Sequence, residues 1–236
     1  MAAALVAALG TGAGIWDYGA GLGTLRYALY ATVAGGLLAI IAFLMSRRRG
    51  VRTGRLNLLA LTVSLLFVSY LGHQIATARS VPAIHDAATD LDDLPRFAML
   101  TVRPDNLDNI PDNGRPELAA MDPESRWKAL HREAYGDLRP LHVAASPAAT
   151  VRRVERRVRD RGWAIALADP QAGIVEATAT SLFFRFKDDV VIRVHPDPAR
   201  PGGSVVDMRS ISRVGSSDIG VNAARIRSFL ADLARA

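Results

Sequence analysis

The chain has 236 residues, half of them hydrophobic, no cysteine and a formal net charge of +6. Without cysteine there is neither a disulfide framework nor a thiolate site, and so apolar a composition beside 29 Lys and Arg residues excludes an evenly soluble chain. The charge does not mark a nucleic-acid binder: residues 1–56 hold six arginines against one aspartate, five of the six net charges, and the rest of the chain is too near neutral to track phosphates along a duplex.

Residues 1–14 are small and apolar, without the basic start of a secretory signal. Either a short span over 1–18 or an interfacial segment fits them. Residues 25–45 and 57–73 are nearly free of charge apart from Arg26, and a hydrocarbon layer of roughly 30 Å needs about 17–25 helical residues, so both predict transmembrane helices. Ala31, Gly35 and Ala39 place small residues every fourth position on the first. Such a stripe either lets helices approach closely in lipid or reflects the ordinary Gly and Ala content of membrane helices.

Between the spans, residues 46–55 (SRRRGVRTGR) carry five arginines and no acid. Positive charge in a short loop marks the cytoplasmic side, which predicts a multi-pass protein of the inner membrane with its large C-terminal part extracytoplasmic. Trp16, Tyr18, Tyr27 and Tyr30 before the first span, and Tyr70 near the end of the second, suit the outer interface.

After residue 73 the polarity is that of a globular chain. Residues 74–137 read as an extended arm and loop region: 81–97 are strand-poor and acidic, and 101–123 are dense in Pro, Asn, Asp and Gly. Asp122-Pro123 starts a short helix over 124–135. Residues 138–236 read as an α+β domain. A strand begins at Leu141; Ser146-Pro147 caps a helix with Val151, Val154 and Val158 on one face and five arginines on the other. Strands follow from Trp163 and Val175 and around Val191 and Met208, and a closing helix over 222–234 carries Ile226, Phe229, Leu230 and Leu233 at helical spacing. The predicted fold is an antiparallel sheet packed by helices, behind two to three N-terminal transmembrane helices.

The informative feature is charge inside strands. The segments VEATAT (175–180), FKDDVVIRV (186–194) and VDMRSISR (206–213) alternate charged with apolar residues at period two, which gathers the charges on one sheet face. Odd positions give Asp189, Val191, Arg193 and His195 on one strand, and Asp207, Arg209, Ile211 and Arg213 on the next. The turn over 196–203 makes these a hairpin. Two registers avoid like-charge repulsion: facing residues that sum to 398 set Asp189 opposite Arg209, and those that sum to 400 set Arg193 opposite Asp207. The acids Asp86, Asp90, Asp92 and Asp93 of the arm complement Arg193, Arg209 and Arg213, so the arm is expected to latch over this face. An anion or lipid-headgroup site is the alternative use.

Several segments together carry a family resemblance: VPAIHD (81–86) with Thr89-Asp90, YGDLRPL (135–141), FKDDVVIR (186–193), and 207–222 with Ser210, Ser212, Arg213, Gly215, Asp218 and Asn222. With them the chain resembles a bacterial family catalogued as domain of unknown function 1499, over roughly 81–233. Where the family pattern has a proline pair, this chain has Leu94-Pro95. The resemblance implies an envelope membrane protein, favours a span near the N-terminus and supplies no activity.

The sequence supports two readings of function. The domain is a non-catalytic envelope module that binds a lipid, an anionic ligand or a partner protein through the network of His85, Asp86, Asp90, Asp189, Arg193, Asp207, Arg209, Arg213, Asp218 and Asn222. Alternatively it is a hydrolase or metal enzyme using His85, Asp86 and the neighbouring acids. Their spacing matches neither a calcium loop nor a helical His pair with Glu, so no metal and no other cofactor is expected.

Overall fold

A computed structural model of the chain describes residues 2–49 and 54–235. The chain divides into two compact units: one holds residues 1–79 with Leu182–Arg185, the other Ser80–Ser181 with the segment from Phe186 onward.

The first unit is helical. Helix α1 (Ala2–Gly12) is followed by α2 (Tyr18–Arg49) and α3 (Gly54–Ser80). The last two are long and apolar enough to cross a membrane, and each includes one of the spans expected at 25–45 and 57–73. Helix α1 has 11 residues and rises about 17 Å, roughly half a hydrocarbon layer. It packs on α2 through small residues: a Cβ on Gly21 would lie 2.0 Å from the Thr11 hydroxyl. The Trp16 indole folds back over Gly10 and donates to the Ala7 carbonyl and the Thr11 hydroxyl, both at 3.1 Å. Within the chain α2 meets α3 at Gly36 and Ser64, whereas a Cβ on Gly35 would meet nothing within 4 Å among the described residues. Residues 50–53 of the arginine loop lie outside the described residues.

The second unit is α+β. Its strands are β1 (Asp86–Ala88), β2 (Leu141–Val143), β3 (Ala164–Asp169), β4 (Ile174–Thr180), β5 (Lys187–Pro196) and β6 (Ser204–Ser212); its helices are α4 (Pro116–Ala119), α5 (Pro123–Tyr135), α6 (Pro147–Asp160) and α7 (Val221–Ala234). The sheet runs β1-β6-β5-β4-β3 and is antiparallel throughout. Strand β2 lies on the same edge of β6 as β1, on Ser204–Val206 where β1 takes Arg209–Ile211. Two short strands end to end therefore close what would be an open edge.

The predicted caps are present: the Asp122 carboxylate accepts from the Ser125 amide and the Ser146 hydroxyl from the Ala149 amide. Val151, Val154 and Val158 of α6 and Ile226, Phe229 and Leu233 of α7 are buried with Val190, Ile192, Val194, Val206 and Met208 of the sheet. The even residues of β5 and β6 thus face this core, and the odd ones the opposite side. The expected start of the compact core at Leu138 moves to Ser80. Ile84, Ala87, Leu91, Ile110, Trp127 and Leu130 all belong to the core, so the arm is part of the domain. Its strand has only three residues, too few for a periodic signal.

Candidate functional site

The hairpin of β5 and β6 takes the register that sums to 400, with Arg193 opposite Asp207 and Asp189 opposite Ile211. Four charge clusters then line one side of the sheet.

In the first, the buried Asp207 carboxylate accepts from Arg193 Nη2 at 3.0 Å and Thr89 Oγ1 at 3.3 Å, and meets His195 Nε2 at 3.1 Å. Arg193 also reaches the arm, donating to the Asp93 carboxylate at 2.8 Å and its carbonyl at 2.9 Å. Burial opposes the charge on Arg193, but the bonds to Asp207 and Asp93 outweigh it and raise its pKa. In the second, Arg213 grips Asp189 with Nε and Nη2, both at 2.8 Å. Thr178 from β4 adds a hydroxyl to the same carboxylate at 2.8 Å. Asp189 thus pairs diagonally with Arg213 instead of facing Arg209.

The third cluster ties β1 to β6. Arg209 donates to Asp86 through Nη2 at 2.7 Å and Nε at 3.1 Å, and the Asn106 amide adds a bond at 2.8 Å. The Trp127 ring lies 6.0 Å from the guanidinium carbon, and its indole N–H donates to the Asp86 carbonyl at 3.0 Å. A two-pronged pair of this kind is the strong form of the interaction. The fourth was not foreseen: Glu176 of β4, fully buried, accepts from the consecutive backbone amides of Ala98, Met99 and Leu100. Its charge was visible at period two in the sequence, but its backbone partners are not encoded by residue type.

The other sequence-selected residues separate from this face. Asp90 pairs with no arginine among the described residues; its carboxylate accepts from the Asp92 and Asp93 amides, each at 2.9 Å, a local turn that carries Asp93 toward Arg193. Asp92 pairs with Arg132. Asp218 and Asn222 lie at the start of α7 on the helix side. Ile219 and Gly220 both take positive φ, which turns the chain so that Asp218 accepts from the Gly220 and Asn222 amides. Burial pushes the Asp218 carboxyl above its ordinary value against the pull of those amides. Asn222 bonds Ser210, Ser212 and the His85 carbonyl, and Arg225 joins Ser210 to Asp188.

His85 and Asp86 do not form one constellation. Adjacent residues at a strand point to opposite sides: Asp86 meets Arg209, while His85 Nδ1 lies 3.4 Å from the Ser216 carbonyl and Nε2 has no hydrogen-bond partner among the described residues. No titratable side chain is within hydrogen-bond reach of His85 among the described residues. Nor does any group of three acids or histidines stand together there as metal ligands.

Two cavities of about 360 Å³ each flank the arm where it crosses the charged face. One is lined by Phe97, Val102, Arg103, Asp189 and Arg213. The other is lined by Arg96, Phe97, Met99, Thr101 and Arg209. Arg96 is exposed and has no ion-pair partner among the described residues.

Residues 86–233 match the family model described as a protein of unknown function, DUF1499. The chain belongs to this family. The match to the DUF1499 family begins at Asp86, the first residue of β1, and takes in all four charge clusters. No curated protein matches the chain.

Proposed function

We propose that this DUF1499 protein is a multi-pass protein of the bacterial inner membrane, with its α+β domain extracytoplasmic, and that the domain is a non-catalytic module that binds an anionic lipid headgroup. Two long apolar helices and the arginines at 47–49 and 55 support the topology through the positive-inside bias. The binding reading rests on Arg96: an exposed guanidinium without an acid partner among the described residues, beside a cavity that Arg209 also lines. The acids that a hydrolase or metal enzyme would use are engaged elsewhere, Asp86 by Arg209 and Asn106 and Asp90 by its own turn.

The test is lipid mass spectrometry on full-length protein extracted in mild detergent, beside Arg96→Glu. Anionic lipid enriched over its share of the membrane, and lost in the variant, is the expected result. Lipid that mirrors the bulk membrane in both proteins would reject the headgroup site. Separately, reporter fusions at the C-terminus active only in the cytoplasm would reject the topology.

A further inference from the structure

The loop between β4 and β5 is apolar where a hairpin tip facing water would be polar. It is closed at its base by the Ser181 amide on the Phe186 carbonyl and the Phe186 amide on the Ser181 hydroxyl, both at 2.8 Å. Beyond that base Leu182 is 78% exposed and Phe183 is 53% exposed. Arg185 takes φ 56° and is exposed, without an ion-pair partner among the described residues.

This tip groups with the apolar helices, not with the strands it connects. A Cβ on Gly12 would lie 2.7 Å from Arg185 Cγ and 3.0 Å from the Phe183 carbonyl, and one on Gly21 would lie 3.3 Å from the Phe184 ring. The end of α1 and the start of α2 therefore leave room for the tip. Trp16 and Tyr18 lie at that same end of α2, and Arg47, Arg48 and Arg49 at the other. Aromatic residues with a nearby arginine are the composition of a membrane interface, where rings sit at headgroup level and cations reach phosphates.

We propose that Leu182–Arg185 is an interfacial membrane anchor. Leu182 and Phe183 enter the boundary between headgroups and acyl chains at the Gly12 and Gly21 end of the helices, and Arg185 meets lipid phosphate. This rests on the membrane reading of α2.

The chain has no cysteine, so one introduced thiol can carry a spin label in the otherwise unaltered full-length protein. Labels at Leu182→Cys, Leu38→Cys in α2 and Gln171→Cys in the exposed β3–β4 turn are compared in phosphatidylcholine–phosphatidylglycerol vesicles. Collision is measured with oxygen, which partitions into lipid, and with a water-soluble nickel chelate. The anchor predicts that position 182 loses nickel collision and keeps oxygen collision, as position 38 does and position 171 does not. If 182 behaves like 171, or is shielded from both reagents while 38 is in lipid, the anchor is wrong and the membrane reading stands. If 38 itself meets the nickel chelate, both fall together.

Discussion

Asp86 and Arg209 meet as a two-pronged ion pair at 2.7 and 3.1 Å, diagonal to a register that sets Asp86 opposite Ile211 and Ala88 opposite Arg209. The acid comes from the arm and the cation from the second strand of the central hairpin, 123 residues later. Asp93 and Arg193 repeat this pairing farther along, and Glu176 holds the arm from the opposite direction, a strand carboxylate gripping arm amides. The arm is thus fastened by charges of both signs, each supplied with partners, which is the condition under which buried charge is tolerated.

The Glu176 contact predicts a local effect. A carboxylate accepts from three amides, whereas Gln offers one accepting oxygen and an NH₂ that cannot accept. Glu176→Gln should leave the sheet intact and speed hydrogen exchange at the Ala98, Met99 and Leu100 amides by about tenfold or more, since a lost charge-assisted bond is worth about 1.5–3 kcal/mol. Exchange mass spectrometry on peptides across 96–102 measures this. Unchanged exchange there would mean that the arm is held without Glu176.

His131 predicts the response to acid. Its ring sits between Trp127 and Tyr135 at centroid distances of 5.8 and 5.4 Å, and Nε2 accepts from the Ala88 amide of β1 at 3.1 Å. Burial drives its pKa down to about 4 from 6.5, against the upward pull of Asp86. Between those values the unfolded chain binds the proton and the folded one does not. The contribution of the neutral ring is therefore whole above about pH 6.5 and is lost as pH falls through about 4, an amount of about 3 kcal/mol. Thermal unfolding of the full chain in detergent, followed by near-ultraviolet circular dichroism from pH 7.5 to 4.5, should be less pH-dependent in His131→Gln, whose side-chain oxygen can still accept from Ala88. Parallel losses in both proteins would move the acid sensitivity to another group.

How much was legible from sequence depends on the range of the interaction. Period-two charges gathered Asp189, Arg193, Asp207 and Arg209 on one face and narrowed the hairpin to two registers, because strand alternation and cross-strand repulsion are local rules; the choice that sets Arg193 opposite Asp207 came from the structure. The apolar faces of α6 and α7 were readable for the same reason. The arm's acids were matched to the sheet's arginines by sign alone, so Asp86 and Asp93 found partners there, while Asp90 became a turn and Asp92 reached Arg132. Asp218 and Asn222 shared the strand region's polarity but fell on the helix side, because β6 ends at Ser212 and both residues lie at the start of α7. Glu176 showed its charge, but a partner made of backbone amides leaves no mark in residue identity.

The double-mutant cycle on Asp86 and Arg209 tests most directly that the arm is latched over the charged face. In the full chain, Asp86→Ala and Arg209→Ala should each destabilise the domain by about 3–5 kcal/mol, because each strands a buried partner. The double variant should cost less than the sum of the two by about 1–3 kcal/mol. Additive losses, or single losses under about 0.5 kcal/mol, would contradict the latch and leave an open anion-binding face in its place.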